Sequence, residues 1–326
     1  MITTPADAFV TIDRSGKPQA RLGYGGSSFG PEQYTGQEDA NLLGAMERSL
    51  ERGLTHFDTA AGYGDGHSER LLGQLVAAAP GRRERLFIAS KDHSDDMSGA
   101  AMTVAIDASR ERMGIDTIDL FYIHWPRTGA DMRPWMEALE TARQQGKIRA
   151  IGVSNFSVAQ MEQLSEAGRI DAHQMYHNLL WRYPEADLIP YCAAHSIAVV
   201  TFASLAHGIL VGKFPLQPDF PKGDHRRVIL PFRAEVWPHV YEATQAMKAV
   251  AERAGRPLAH LAIRWLLSRP GVSLALVSAR NAAQADSNAD ALLGKVPASV
   301  LDELTAISDA VMPYIPNEGN PYSYHP

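Results

Sequence analysis

The stretch Gly53-Leu54-Thr55-His56-Phe57-Asp58-Thr59-Ala60-Ala61-Gly62-Tyr63-Gly64 runs from a short β-forming segment, through an acid, into a glycine-rich loop that carries a tyrosine. Two later segments end in the same way. Leu86-Phe87-Ile88-Ala89-Ser90 is closed by Lys91, and Ile118-Asp119-Leu120-Phe121-Tyr122-Ile123 is closed by His124. A short apolar run bounded by polar residues suits a strand buried on both faces. In a closed barrel of parallel strands, the strand C-termini and the loops after them share one face, and that face carries the chemistry. Asp58, Tyr63, Lys91 and His124 are therefore predicted to meet at one site.

Working outward, β-rich runs recur at 22–25, 55–58, 86–90, 120–124, 150–154, 172–175, 198–202 and 274–278. Between them lie amphipathic stretches at 38–52, 68–77, 99–113, 133–145, 158–166, 187–195 and 258–267, with another at 282–292 after the last run. Eight alternations with little change of composition predict a single (β/α)8 TIM barrel, an α/β fold filling residues 1–326 as one domain. A β-hairpin around Ser15-Gly16 is predicted ahead of the first barrel strand. The segment 206–237, rich in Pro, Gly and charge, reads as a long functional loop at the C-terminal face. The tail after Pro313 lacks periodicity and is expected to cross a barrel end.

Composition narrows the functions. With 326 residues, 45% of them hydrophobic, the chain can bury a large core. A net charge of −6 with dispersed cations gives no basic stripe for nucleic acid. Cys192 is the only cysteine, which excludes an intrachain disulfide and suits a reducing cytosol. The N-terminus lacks a basic and apolar leader pattern, and no run approaches the roughly 18 apolar residues of a membrane span. The expectation is a soluble cytoplasmic protein, monomeric, without nucleic-acid or membrane partners. No H-E-x-x-H and no cysteine pair at zinc spacing occurs, so no metal site is expected. Gly23-Tyr24-Gly25-Gly26-Ser27-Ser28 lacks the last glycine of a dinucleotide-binding loop, and Gly152-Val153-Ser154-Asn155-Phe156 is not a nucleophile elbow.

The four strand-end residues suit reversible exchange between a carbonyl and an alcohol. That reaction needs hydride at carbon and a proton for the developing alkoxide. A phenol, with an ordinary pKa of about 10, holds its proton too tightly near neutrality. A nearby ammonium favours the phenolate and lowers that value, and a carboxylate can hold the ammonium in place. Tyr63, Lys91 and Asp58 supply those parts, and His124 can orient the carbonyl oxygen.

Over nearly its whole length the chain resembles the aldo-keto reductase superfamily. The likeness is carried by Gly53…Asp58-Thr59-Ala60…Tyr63-Gly64…Ser68-Glu69…Gly73, by 118–125, by Gly146-Lys147-Ile148-Arg149-Ala150-Ile151-Gly152-Val153-Ser154-Asn155-Phe156, and by Gln174. Asn178-Leu179-Leu180, Gly208-Ile209-Leu210-Val211-Gly212-Lys213 and Phe220-Pro221-Lys222-Gly223-Asp224 resemble the bacterial, general-stress-protein-like branch. The resemblance implies that Tyr63 is the general acid/base, tuned by Lys91 and Asp58, and that His124 orients substrate. It implies a nicotinamide cofactor, NADP(H) favoured and NAD(H) possible. Ser154, Asn155 and Gln174 would hold the carboxamide, and Phe202 would stack on the nicotinamide. Leu205, Gly208, Lys213 and Arg226 would lie along the pyrophosphate. Ser278, Arg280, Gln284 and Asn288 would face the adenosine 2′-phosphate and adenine, an anion suiting both a helix N-terminus and a guanidinium.

The candidate substrate wall is Tyr24, Ser27, Phe29, Trp125, Trp181 and Trp237. This mainly aromatic set suits sugars, aromatic aldehydes and small ketones alike, and the absence of a basic cluster at these loops predicts an uncharged aldehyde, ketone or alcohol as partner. Two other functions fit fewer of these residues. A barrel lyase could use Lys91 for a Schiff base, and a nucleotide-binding redox sensor or regulatory subunit would turn over slowly.

Overall fold

The computed structural model describes residues 9–12, 14–29, 38–92 and 96–322, with the side chains of Ser28 and Phe29 outside the description. Ten strands are present among these residues: β1 Phe9–Thr11, β2 Pro18–Ala20, β3 Leu22–Gly25, β4 His56–Asp58, β5 Phe87–Asp92, β6 Ile118–Ile123, β7 Ile148–Ser154, β8 Ala172–Tyr176, β9 Ala198–Phe202 and β10 Val272–Val277. β1 and β2 form the antiparallel hairpin, and β3 to β10 close into a barrel in sequence order, every neighbouring pair parallel. The helices are α1 Asp39–Glu51, α2 His67–Ala77, α3 Arg82–Arg85, α4 Gly99–Met113, α5 Arg133–Gln144, α6 Val158–Ser165, α7 Leu188–Ala194, α8 Trp237–Arg253, α9 Leu258–Ser268, α10 Ala282–Asp290 and α11 Ala298–Val311.

Successive side chains of a strand point to opposite faces, and that alternation places the site. Phe87, Ala89, Leu120, Tyr122, Ala150, Ala172, Val200, Leu274 and Leu276 pack together inside the barrel, while Ile88, Phe121, Ile123 and Ile151 pack against helices. Lys91 continues the inward series of Phe87 and Ala89, and Asp58 follows His56 by the same step of two. The interior is filled by pairing large with small residues. A Cβ on Gly152 would lie 2.2 Å from the ring of Tyr122, the residue facing it across the β6–β7 ladder. Glycine is thus required where that ring crosses.

The hairpin closes the opposite end. Ile12, between β1 and β2, is buried in the same interior cluster. Arg14 fastens this plug with a two-point ion pair to the buried Asp171, at 2.7 and 2.8 Å, and a 3.2 Å contact to Glu140. Asp171 also accepts the Ile151 N–H at 2.8 Å, so the carboxylate ties hairpin to barrel wall.

Two long helices, α8 and α11, lie outside the predicted set. The segment 206–237 is not featureless either. It contains short 3₁₀ turns at Ala206–Val211, His225–Arg227 and Leu230–Phe232, and α8 starts at its end.

Candidate active site

At the C-terminal end of the barrel, Asp58, Lys91 and Gln174 form one buried polar cluster. The Lys91 ammonium is close-paired with Asp58 and donates to the Thr59 carbonyl at 2.9 Å. Gln174 donates its amide to the other Asp58 oxygen at 2.7 Å. The Lys91 nitrogen lies 5.0 Å from the centre of the Tyr63 ring, and His124 stands edge-on to that ring at 5.7 Å. Asp58, Lys91 and His124 from strand ends and Tyr63 from the loop after β4 are thus brought together.

Electrostatics differ in one respect from the sequence expectation. Burial pushes the Tyr63 phenol up, and the Lys91 ammonium offsets only part of that, so Tyr63 lies above its ordinary value. In Asp58, burial likewise outweighs the pull of Lys91 and Gln174 and lifts the carboxyl. For Lys91, burial opposes the charge, but Asp58 and Tyr63 beside it more than compensate and raise its pKa. Lys91 is therefore a firmly held ammonium, and Tyr63 a phenol that keeps its proton through the neutral range.

A second polar chain supports the Tyr63 loop from behind. Thr59 donates to the Ser68 hydroxyl at 2.7 Å, and Ser68 donates to the Gly26 carbonyl at 3.2 Å. Glu69, fully buried on α2, accepts from Ser90 at 2.5 Å and from Arg112 of α4. Ser90 precedes Lys91 in β5, so this chain links the strand bearing Lys91 to the helix that follows Tyr63. The sequence offered Ser68 and Glu69 only as parts of a motif.

The candidate nucleotide-side residues occupy strand ends and the segments after them. Ser154 ends β7, and Asn155, with φ 64°, donates to the Ser154 hydroxyl at 3.0 Å. Phe202 ends β9, with its ring edge-on to Tyr176 at 5.5 Å. Leu205 and Gly208 lie in the turn after β9, and Lys213 is exposed beyond it. Ser278 donates to the Gly25 carbonyl at 2.7 Å, and Arg280 is exposed just ahead of α10.

The remaining side chains, like those of Asn155 and Ser278, have internal partners. Gln174 holds Asp58. The Gln284 carbonyl accepts the Arg280 N–H at 2.9 Å, and Asn288 donates to the Ser278 carbonyl at 3.1 Å. Arg226 makes a two-point ion pair with Asp224, at 2.9 and 2.6 Å, above the Phe220 ring. Gln284, Asn288 and Arg226, expected from the sequence to meet a nucleotide, make these contacts within the protein.

The rings of the expected aromatic wall are mostly packed inside the protein. Tyr24 is 1% exposed, stacks on Phe57 and donates to the Ala279 carbonyl at 2.6 Å. Trp181 is also 1% exposed, edge-on to Tyr176 and Tyr183. Trp237, 5% exposed, stacks on Phe232 and donates to the Leu216 carbonyl at 2.7 Å. Packing consumes these three rings and leaves almost no surface for a ligand. Trp125 and Ser27 remain half-buried, and the Phe29 side chain lies outside the described residues. Sequence reading missed Tyr322, which reaches the mouth from the tail and stands edge-on to Trp125 at 6.1 Å. Its only sequence signal is an aromatic in an aperiodic terminus. No group of three potential metal ligands occurs among the described residues.

Comparison with known proteins agrees with this barrel. The Aldo/keto reductase family profile matches residues 21–309, and the chain belongs to that family. It is 29% identical over 288 residues to aldo-keto reductase YhdN of Bacillus subtilis, covering 86% of this chain and 87% of that one. A glycerol dehydrogenase from Gluconobacter oxydans superposes with a TM-score of 0.84 at 29% identity, over 96% of this chain and 98% of the other. An aldo/keto reductase from Klebsiella pneumoniae, solved with NADP and acetate, gives a TM-score of 0.71 at 25% identity, over 94% and 96%.

Proposed function

We propose that this chain is a nicotinamide-dependent oxidoreductase, NADP(H) favoured over NAD(H), that interconverts a small uncharged aldehyde or ketone with its alcohol. The observation that carries the reading is the buried Lys91–Asp58 ion pair beside the Tyr63 ring, with His124 edge-on to the same ring.

The donor set fits such a nucleotide. Arg280 is exposed just ahead of the nine-residue helix α10, and its guanidinium makes no ion pair among the described residues. After β9, Ala203, Ala206 and His207 have φ of 51°, 47° and 55°, followed by Gly208 at 91°. The Ala206 and Gly208 N–H groups close this turn by donating to the Ala203 and Leu205 carbonyls at 2.7 and 2.9 Å, and Lys213, exposed just beyond it, is the cation available to a phosphate there. Family membership and the NADP bound to the Klebsiella relative support the same cofactor.

When bound, the nicotinamide supplies or accepts hydride at the carbonyl carbon. The protein's share is the proton and the geometry. Tyr63, protonated at neutral pH, is placed to donate to a developing alkoxide. Lys91 stabilises the phenolate left behind, and Asp58, fixed by Gln174, keeps that ammonium in place. His124 directs the oxygen toward Tyr63. In the reverse direction Tyr63 takes the alcohol proton.

Another observation weighs against the rival lyase. A Schiff-base lysine must shed its proton, whereas the paired Asp58 holds Lys91 charged. A nucleotide-binding regulatory subunit is separated from this reading by its slow turnover. Asp224 balances Arg226 near the mouth, which suits a neutral substrate. We also assign the protein to the cytoplasm as a monomer. No described helix is long and apolar enough to cross a membrane.

The reading is tested by assaying aldehydes and ketones with NADPH, then alcohols and sugars with NADP and NAD. Turnover on neutral carbonyls is expected. Strong preference for carboxylated or phosphorylated compounds would overturn the neutral pocket, and nucleotide binding with negligible turnover on the whole panel would favour the sensor. A separate prediction concerns the cofactor: Arg280→Ala should weaken NADPH by about tenfold or more, the scale of a lost charge-assisted contact. NADH binding, followed by the same fluorescence titration, should change little. An equal loss for both would show that Arg280 does not read the 2′-phosphate.

A further inference from the structure

The C-terminal tail joins two walls of the barrel mouth. Glu318 makes a two-point ion pair with Arg233, at 2.7 and 2.8 Å, and the Leu230 N–H donates to the Pro321 carbonyl at 3.0 Å. Tyr322 then enters a cluster of rings, its centroid 5.0 Å from His225, 5.8 Å from His207 and 6.1 Å from Trp125. Its hydroxyl lies 3.4 Å from the His207 Nε2. Burial, aided by His225 and Arg226, pushes the His207 imidazole down to about 3. It is therefore uncharged near neutrality and able to accept a hydrogen bond from that hydroxyl.

The backbone gives this contact its meaning. His207 and Ala206 adopt left-handed φ values of 55° and 47°. For a residue with a Cβ this conformation is unfavourable and persists only where the surroundings fix it. Three rings surround the His207 side chain: Tyr176 stacks on it at 5.7 Å and 19°, Tyr322 meets it edge-on, and His225 lies tilted at 6.4 Å. Trp125, on the far side of Tyr322, directly follows His124 in the chain.

We propose that Tyr322 is a positioning residue that fixes the turn at residues 203–208 through His207, and so couples the carbonyl-side wall at Trp125 to the nucleotide-side turn. The inference rests on the assignment of that turn to the cofactor phosphates. A turn held in its binding shape before the nucleotide arrives loses less entropy on binding, so removing the ring should speed nucleotide release.

The test uses the full-length protein and follows NADPH release by stopped-flow fluorescence, alongside the thermal midpoint of the cofactor-free protein. Tyr322→Ala should release NADPH roughly three- to tenfold faster, the size of coupling expected between residues in contact. Tyr322→Phe, which keeps the ring, should stay within about twofold of wild type. In a His207→Gly background, which no longer needs its backbone held, Tyr322→Ala should add nothing. Unchanged release in Tyr322→Ala, or strictly additive effects in the double variant, would overturn the coupling while the wild type still bound NADPH. A wild type that binds neither NADPH nor NADH would overturn the nucleotide assignment and the coupling with it.

Discussion

Tyr63→Phe is expected to lower turnover by about 10²–10⁴-fold, the range general acid–base catalysis contributes, with NADPH affinity changed by less than about twofold. The substitution removes one hydroxyl and keeps the ring that lies beside Lys91 and edge-on to His124. Packing and the Asp58–Lys91–Gln174 cluster should survive, so the loss falls on proton transfer alone. A pH profile gives an independent check. Burial sets the free-protein phenol above its ordinary value of about 10, so the wild-type carbonyl reductase rate should hold through neutrality. It should fall only as the phenol loses its proton in strongly alkaline solution. A phenylalanine ring cannot titrate, and the residual rate of the variant should lack that limb. A folded variant with a normal rate would remove Tyr63 from the mechanism.

How much of this was legible in the sequence follows from the range of each interaction. The barrel was legible because its signal is local: an apolar run of about five residues, then a polar stop, repeated eight times. The predicted strands agree with the observed ones to within two residues at most ends, as 22–25 and 198–202 illustrate. Asp58, Lys91 and His124 were legible for the same reason, since position at a strand end already fixes which face a residue reaches. Helix α8 was not beyond reach. Val240, Ala243, Met247 and Val250 are buried at helical spacing, but Trp237-Pro238 at the end of a proline-rich stretch resembles a loop in sequence. Proline in the first turn of a helix starts it and does not break it.

What could not be read depends on contacts between distant parts of the chain. Whether an aromatic lines a pocket or fills a core is decided by what else reaches it. Trp237 finds Phe232 and the Leu216 carbonyl, and Tyr24 finds Ala279, 255 residues away. The same limit applies to charge balance at Tyr63. The sequence identified the cation that would pull the phenol down, but not the burial that pushes it up further. Gln174 shows both sides: its strand-end position was legible, while the Asp58 oxygen that engages its amide, 116 residues away, was not.

Lys91→Met should be the most damaging of the single changes. It is expected to abolish measurable turnover and also destabilise the fold by about 3–5 kcal/mol, the usual cost of removing one partner from a buried ion pair. Asp58 would keep Gln174 as a neutral donor but lose its only buried cation among the described residues. Its carboxyl, already lifted by burial, should rise further. A carboxyl whose folded-state pKa exceeds its unfolded value contributes most below the unfolded value, and that contribution is lost as pH rises through the folded one. Denaturant melts of Lys91→Met should therefore show stability declining from mildly acidic toward neutral pH, more steeply than in wild type. Adding Asp58→Asn removes the unpaired charge and should recover much of the stability without recovering turnover. If the double variant proved as unstable as Lys91→Met alone, the loss would come from packing around the lysine stem, and the buried ion pair would not be what holds this site together.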